Sequence, residues 1–283
     1  MEVKIPTIDL NDGHVIPAVG LGTVQLKGEA GVNSLLTGLN AGYRLLDSAY
    51  NYENEGTIGE AVKRTHLPRE QLYITSKLPG RYQPYSKALT TVEESLFRAS
   101  LDYYDLYLIH WPNPITDQYV EAWQALIEAQ KRGNIRSIGV CNFLPEHLDR
   151  IMKETGIKPA INQIELHPFF NQENQREYHK QHNIQTQSWS PLVRSKEGSE
   201  LFENKQLQEL ANKYQKSLAQ IVLRWHYQLD SIAIPKSGNA NRQKENLSIF
   251  NFELQEQEME IISSLTREDG RLHKQDPATY EEF

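Results

Sequence analysis

The sequence has 283 residues, 39% of them hydrophobic and 24% charged, a balance typical of a globular rather than a disordered chain. Thirty basic and 37 acidic residues give a net charge of −7, which argues against nucleic acid as the main partner. A single cysteine excludes an internal disulfide, residues 1–10 contain no signal-peptide core, and no apolar run reaches the roughly 18 residues of a membrane span, so we expect a soluble, cytoplasmic protein with no membrane partner.

Residues 5–16 are predicted to form an N-terminal β-hairpin, because Asp12 and Gly13 supply the positive-φ positions of its turn. Short apolar runs then alternate with stretches of helical spacing. Eight runs are predicted to be buried strands, at residues 18–22, 43–47, 72–77, 106–110, 135–140, 161–164, 185–190 and 232–234. Between them, Pro145 suits a first helical turn and Ser217 a helix cap, and residues 254–265 predict an extra amphipathic helix.

This alternation predicts the α/β class and a parallel sheet. A chain of this length suits closure into a (β/α)8 TIM barrel, which takes about 250 residues. We therefore predict one domain over residues 1–283, a barrel with an N-terminal hairpin and extra helices near the C-terminus. A doubly wound open sheet remains the alternative on pattern alone. Gly20 and Gly22 begin a dinucleotide-binding fingerprint that lacks its third glycine, so a Rossmann site is not predicted.

Polar side chains follow the predicted strands at their downstream ends. Asp47, Lys77 and His110 end the second, third and fourth strands, and Tyr52 lies in the loop after Asp47. In a barrel these ends share the rim on which active sites are built. Taken singly, each has a structural interpretation, as a helix cap, a solvated charge or a strand-end histidine, and Tyr50 competes with Tyr52. Together a carboxylate, an ammonium, an imidazole and a phenol suit proton transfer to a carbonyl oxygen.

The sequence resembles the aldo-keto reductase superfamily over nearly the whole chain, and the motifs of that family occur in the expected order. The motifs are Val19-Gly20-Leu21-Gly22-Thr23, Leu46-Asp47-Ser48-Ala49-Tyr50-Asn51-Tyr52, Ile74-Thr75-Ser76-Lys77-Leu78, Leu108-Ile109-His110-Trp111-Pro112, Ile138-Gly139-Val140-Cys141-Asn142-Phe143, Asn162-Gln163-Ile164-Glu165, Ser188-Trp189-Ser190-Pro191-Leu192 and Ile234-Pro235-Lys236-Ser237. The Ser188-Trp189 pair and the short segment after Trp111 are most similar to the bacterial 2,5-diketo-gluconate reductase branch.

The resemblance implies a catalytic tetrad of Asp47, Tyr52, Lys77 and His110, NADPH as cofactor, and no metal. In the family pattern, amides at two of the cofactor positions hold the nicotinamide carboxamide, an aromatic ring stacks on the nicotinamide, a cationic cluster grips the 2′-phosphate and an asparagine contacts the adenine. The implied cofactor positions are Gly22, Thr23, Cys141, Asn142, Gln163, Trp189, Ser190, Pro191, Leu192, Lys236, Ser237, Arg242 and Asn246. The implied substrate positions are Val24, Tyr50, His110 and Trp111.

The resemblance further implies reduction of aldehydes, dicarbonyls or keto-sugars to alcohols, with hydride from the nicotinamide and Tyr52 as general acid. Lys77 would ease loss of the phenolic proton, Asp47 would keep Lys77 charged, and His110 would hydrogen-bond the substrate oxygen. The alternatives are a barrel that binds NADPH as a sensor with little turnover, and a structural barrel without a cofactor.

Three positions depart from the family pattern. Cys141 replaces a usual serine, while Val24 and Pro79 replace aromatics, which changes the expected pocket shape.

We also expect a monomer. His179 and His182 lie three residues apart on a predicted helix without a third ligand, and they are predicted to be surface residues rather than a metal site.

Overall fold

A computed structural model of the protein describes residues 5–193 and 195–283. Strands β1 (Thr7–Asp9) and β2 (Val15–Pro17) pair antiparallel, which confirms the predicted hairpin. Its turn differs from the prediction, since Gly13 has a positive φ, of 86°, whereas Asp12 does not. The N–H of Gly13 bonds to the Leu10 carbonyl at 3.1 Å, so the loop has three residues and needs only one left-handed position.

The remaining strands form a single parallel sheet in which each pairs with its neighbour in sequence. They are β3 (Gly20–Gly22), β4 (Leu45–Asp47), β5 (Tyr73–Leu78), β6 (Tyr104–Ile109), β7 (Ile135–Cys141), β8 (Ile161–Glu165), β9 (Gln185–Trp189) and β10 (Ser231–Ala233). Parallel bridges from Val19 to Ala233 and from Gly22 to Lys236 join the first strand to the last. The predicted (β/α)8 barrel is confirmed, and the open-sheet alternative was wrong.

Helices cover the outside of the barrel. They are α1 (Gly28–Ala41), α2 (Glu55–Arg64), α3 (Tyr85–Ala99), α4 (Tyr119–Lys131), α5 (Pro145–Thr155), α6 (Glu173–Gln181), α7 (Ser195–Glu203), α8 (Lys205–Tyr214), α9 (Leu218–Gln228), α10 (Ala240–Leu247) and α11 (Glu256–Ser263). Three of these helices separate β9 from β10, and two more follow β10. No helix among the described residues combines the length and apolarity needed to cross a membrane.

Local signals in the sequence fix several of these boundaries. Helix α5 begins at Pro145, and Ser217 caps α9 by accepting a hydrogen bond from the Gln220 N–H at 3.3 Å, as predicted. Gly42, with a φ of 122°, ends α1. The N–H of Tyr43 bonds back to the Gly38 carbonyl at 3.0 Å, which is why β4 begins two residues later than the sequence pattern indicated.

The hairpin closes the upstream end of the barrel. Leu10 and Ile16 are buried in the apolar cluster inside the barrel, which includes side chains from β4, β6 and β8. The Asn11 side chain fastens the hairpin loop by donating to the Pro159 carbonyl at 2.9 Å and the Asn183 carbonyl at 2.8 Å. The opposite end, where the strands terminate, therefore holds the candidate site.

His179 corrects one sequence prediction. Its side chain is fully buried on the inner face of α6 rather than on the surface. Asn162 and Gln175 place amide nitrogens 2.9 Å from its Nε2, and Thr186 Oγ1 lies 2.9 Å from its Nδ1. Burial, with smaller contributions from His182 and Arg176, lowers the pKa of His179 to about 3, so the ring is neutral and part of the core.

Candidate active site

A buried ion pair lies at the centre of the downstream rim. Lys77, in β5, places its Nζ 2.6 Å from Oδ1 of Asp47, the last residue of β4. The same Nζ donates to the Ser48 carbonyl at 2.7 Å, and Asp47 Oδ2 accepts from Gln163 Nε2 at 2.8 Å. Both charged groups are thus held by neighbours on β5, β8 and the β4 loop, which fixes their position.

The protonation of Lys77 follows from its surroundings. Complete burial acts to lower the pKa of Lys77, since an ammonium loses solvation there. The charge of Asp47, with smaller contributions from Tyr52 and Cys141, outweighs burial and raises the pKa above its ordinary value. Lys77 is therefore a fixed positive charge at neutral pH.

Tyr52 and His110 complete the group. Tyr52 ends the 3-10 turn Tyr50–Tyr52 that follows β4, and the Lys77 Nζ lies 5.1 Å from the centre of its ring. His110 follows β6, and its ring lies edge-on to Tyr52 with the two centres 6.0 Å apart. The structure brings together the three residues that the sequence placed at separate strand ends and Tyr52, which it placed in the loop after Asp47.

An elongated cleft begins beside Tyr52. Its first part is a cavity of about 400 Å3 whose lining includes Gly22, Thr23, Val24, Asp47, Tyr52, Trp189, Ser190, Pro191, Leu192 and Lys236. A second cavity, of about 780 Å3, shares Leu192, Val193 and Lys236 with the first and extends along Ser237, Arg242 and Asn246. The two cavities form one path from the phenol of Tyr52 to the first turn of α10.

The polar groups along this path suit a dinucleotide. The Ser190 hydroxyl is buried, yet it has no hydrogen-bond partner among the described residues. At the far end Lys236 and Arg242 are exposed, and no carboxylate of the described chain pairs with either. A ligand with polar groups at one end and a phosphate at the other would satisfy both features.

Two amide side chains link the cleft to the group formed by Asp47, Lys77, Tyr52 and His110. Asn142, with a φ of 61°, donates to the His110 carbonyl at 3.0 Å and accepts from the Trp189 indole at 2.8 Å. Gln163 Nε2 bonds to both Asp47 and Gln187, and no donor from the described residues contacts its Oε1. That oxygen is thereby suited to accept from a carboxamide.

Strand β3 meets the segment after β10 at Gly22, and Thr23 follows Gly22 in the chain. A Cβ at Gly22 would lie 2.8 Å from the Ile234 carbonyl, so the close approach of the two chain segments requires glycine there. The buried Thr23 hydroxyl donates to the Asp47 carbonyl at 2.9 Å. Both residues line the cleft.

Other predicted site residues lie further from the cleft. Cys141 is fully buried, and burial raises the pKa of its thiol against the opposing charge of Lys77. Tyr50 hydrogen-bonds Arg98 through its hydroxyl and is not found in the described lining of the cleft. Trp111 is buried, with its ring centre 4.4 Å from that of Tyr280.

Sequence reasoning missed Glu282, although its Oε1 lies 2.7 Å from His110 Nδ1. The adjacent acidic pair Glu281 and Glu282 resembles an ordinary solvated segment, and no spacing or motif links it to the fourth strand of the barrel. Only the fold brings the two positions together.

A phenol beside a buried ammonium, at one end of a cleft whose other end is cationic, suits the class of nicotinamide-dependent oxidoreductases. The Aldo/keto reductase family model matches residues 18–267. The chain therefore belongs to the aldo/keto reductase family, and it is an NADP-dependent oxidoreductase.

Individual relatives cover nearly the whole chain. The 2,5-diketo-D-gluconic acid reductase B of Corynebacterium sp. (strain SHS752001) is 47% identical over 280 residues, which is 99% of each chain. The methylglyoxal reductase DkgA of Escherichia coli (strain K12) is 44% identical over 91% of this chain and 92% of its own. Among solved structures, a Gox0644 variant in complex with NADPH is 40% identical, with a TM-score of 0.92 and coverage of 98% and 99%.

Proposed function

We propose that this oxidoreductase reduces the carbonyl group of small aldehydes, dicarbonyls or keto-sugars to an alcohol, and that Tyr52 donates the proton. The observation that supports this best is the position of Tyr52 at the end of the cleft, with the Lys77 ammonium 5.1 Å from its ring and His110 edge-on to it. The phenol thus lines the cleft in which a carbonyl compound would bind, beside the Lys77 ammonium and His110.

Each residue of the tetrad has a separate task. The bound cofactor supplies hydride to the carbonyl carbon. Tyr52 transfers its proton to the carbonyl oxygen, and a phenol with a pKa of about 10 needs help to do so. Lys77, whose Nζ lies 5.1 Å from the ring centre, gives that help. In general, a cation about 4 Å from a phenolate stabilises it by about 4 kcal/mol at an effective dielectric of about 20. Asp47 keeps Lys77 protonated, and His110 hydrogen-bonds the substrate oxygen.

The proposed cofactor contacts follow the cleft. Trp189 would offer its indole face to the nicotinamide, and its orientation is fixed by the bond to Asn142. Asn142 and Gln163 would hold the carboxamide, and Cys141 lies behind them. The middle of the cofactor would lie along Gly22, Thr23, Ser190, Pro191 and Leu192. Lys236, Ser237 and Arg242 would bind the 2′-phosphate, and Asn246 would contact the adenine.

The substrate class rests on two observations. The relatives named above carry the names of reductases of a diketo-sugar acid and of methylglyoxal, both of them dicarbonyls. In this chain Val24 gives the cleft a small apolar wall beside Tyr52, and the Trp111–Tyr280 pair supplies aromatic surface near His110. A small, polar carbonyl compound fits these surroundings.

Tyr52→Phe tests the function. We expect kcat for NADPH oxidation with methylglyoxal or 2,5-diketo-gluconate to fall by about 10²- to 10⁴-fold, since the general acid is removed. NADPH should still quench tryptophan fluorescence with its original Kd, because no cofactor contact is changed. Tyr85→Phe, which removes a phenol from an exposed site on α3, is the matched control.

Near-normal turnover by Tyr52→Phe would reject Tyr52 as the acid. A wild-type protein that binds NADPH but reduces none of a panel of aldehydes and dicarbonyls would instead support the sensor alternative.

We also propose that residues 1–283 act as one domain and as a cytoplasmic monomer. Cys141 is the single cysteine of the chain and can form no internal disulfide, which supports a location in the reducing environment of the cytoplasm. Light scattering at assay concentration tests the oligomeric state, and a dimer mass would reject the monomer.

A further inference from the structure

The segment 276–283, here called the capping segment, brings a carboxylate to a ring nitrogen of His110. Glu282 Oε1 lies 2.7 Å from His110 Nδ1, and the side chains are 10% and 15% exposed. The same oxygen accepts from Asn51 Nδ2 at 2.8 Å, and Oε2 accepts from the Gly80 N–H at 3.0 Å. Both carboxylate oxygens are therefore held in place beside the imidazole.

The backbone of Glu282 is fixed as firmly as its side chain. Asn113 donates from Nδ2 to the Glu282 carbonyl at 2.8 Å and accepts the Glu282 N–H at 3.0 Å. A Cβ at Gly80 would lie 2.3 Å from Asn113 Nδ2 and 2.4 Å from the Glu282 carbonyl, so glycine is required there. Glu281 adds bonds to the N–H groups of Ile115 and Thr116.

Glu282 is ionised in this setting. Burial acts to raise the pKa of Glu282, but His110, the Gly80 N–H and Asn51 together lower it below its usual range. The carboxylate can accept a hydrogen bond and cannot donate one.

We propose that Glu282 is a positioning residue for His110: its carboxylate, with Oε1 2.7 Å from Nδ1, pairs with that side of the ring and leaves Nε2 for the substrate oxygen. The inference rests on the proposed role of His110 in carbonyl reduction. With Nδ1 protonated, Nε2 can donate a hydrogen bond only when the ring carries both protons, as an imidazolium. Glu282 places its carboxylate beside Nδ1 of that ring.

Few other charged groups face His110 from the described elements packed around it. Tyr52 lies at its edge, on the turn after β4. Arg81 reaches only the far side of Asn51, donating to its Oδ1 at 2.7 Å. Asn142, after β7, contacts the His110 backbone and carries no charge. Glu282 is thus the anionic group in contact with the ring.

Glu282→Gln removes the charge while keeping the shape. We expect kcat for carbonyl reduction to fall by about 10- to 100-fold, the loss expected for one charge-assisted hydrogen bond. The Kd for NADPH should stay within about twofold, because the contact is not with the cofactor. The kcat–pH profile should also change, because the carboxylate next to His110 Nδ1 loses its charge. Glu282→Asp, which keeps the charge, should restore part of kcat.

Glu281→Gln is the matched control, because it removes an equal charge from the same segment without touching His110. Equal losses in both variants with an unmoved pH profile would overturn the proposal, since docking of the segment alone would then explain them. Turnover lost in Tyr52→Phe but unchanged in Glu282→Gln would keep the proposed function and reject this inference.

A measurement on the wild-type protein covers the case in which a variant misfolds. With ¹⁵N-labelled histidine, and His110→Gln to assign the signal, NMR should show Nδ1 of His110 protonated at neutral pH. A neutral ring protonated at Nε2 would overturn the proposal.

Discussion

Lys77 shows how a charge can be kept inside a barrel. Its ammonium is fully buried, but Asp47 and the Ser48 carbonyl lie within 2.7 Å of its Nζ. A buried charge is costly unless it is paired, and removing one partner leaves the other exposed to that cost. The pair therefore links activity to stability.

Lys77→Met should lower kcat by about 10²- to 10⁴-fold and lower the free energy of unfolding by about 3–5 kcal/mol, because Asp47 is left buried without its cation. The double variant Lys77→Met/Asp47→Asn should regain much of that stability and none of the activity. Urea unfolding and NADPH oxidation assays check the two effects. A double variant no more stable than Lys77→Met would show that the unpaired carboxylate of Asp47 is not the cause of the lost free energy of unfolding.

At this scale the convergence of Asp47, Lys77, His110 and Tyr52 could be predicted from the sequence, and the contact of Glu282 with His110 could not. Asp47, Lys77 and His110 each end a strand, and strand ends of a barrel share one rim whatever the loops do. The contact between Glu282 and His110 depends on how the capping segment crosses the rim, which is set by the Asn113 and Gly80 bonds. No local pattern encodes such a path.

Helix α10 is the element that carries the cationic end of the cleft. Asn239 caps it by accepting the N–H groups of Asn241 and Arg242 at 3.0 and 3.1 Å. The cap fixes the first turn, so the Arg242 side chain leaves the helix beside Lys236 in the second cavity. A planar guanidinium there can bind a phosphate through two hydrogen bonds.

Arg242→Met should raise the Kd for NADPH by about 10- to 100-fold, as expected for the loss of a charge-assisted hydrogen bond. The Kd for NADH should rise much less, since NADH lacks the 2′-phosphate. Lys244→Met, an exposed cation of the same helix that is not in the described cavity lining, is the control. Fluorescence titration with both cofactors measures the ratio. Equal losses for NADPH and NADH would remove Arg242 from the phosphate site.

Strand positions could be predicted to within a few residues, because buried parallel strands are short apolar runs between turns. The errors occur where tertiary hydrogen bonds compete with the pattern. Ala18 is apolar, but its N–H bonds to the Pro6 carbonyl at 2.9 Å, so it belongs with the hairpin and β3 starts at Gly20. The burial of His179 was not predicted, because a polar helix residue is buried only where the fold supplies hydrogen-bond partners such as Thr186.

The whole molecule carries neutral histidines in its core, and these couple its stability to pH. The pKa of His179 is about 3 in the folded state, lowered chiefly by burial from an ordinary value of 6.5. Burial likewise lowers the pKa of His226 to about 3. An unfolded chain therefore binds more protons than the folded one as pH falls below 6.5, so stability is lost in that range.

At pH 5 the lost stability is about 2 kcal/mol for His179, at 1.36 kcal/mol per pH unit between the unfolded pKa and that pH. His179→Asn removes the titrating group, so its free energy of unfolding should fall by about 2 kcal/mol less than that of the wild type between pH 7.5 and 5. Urea titrations at both pH values give the difference. Parallel losses in the two proteins would mean that His179 does not titrate on unfolding.

Leu10 and Ile16 close the upstream end of the barrel, so no molecule can pass through its interior. Substrate must enter and alcohol must leave through the cleft at the downstream rim. Substrate cannot bind while the alcohol occupies the cleft, so slow release of the alcohol would limit kcat even when hydride transfer is fast.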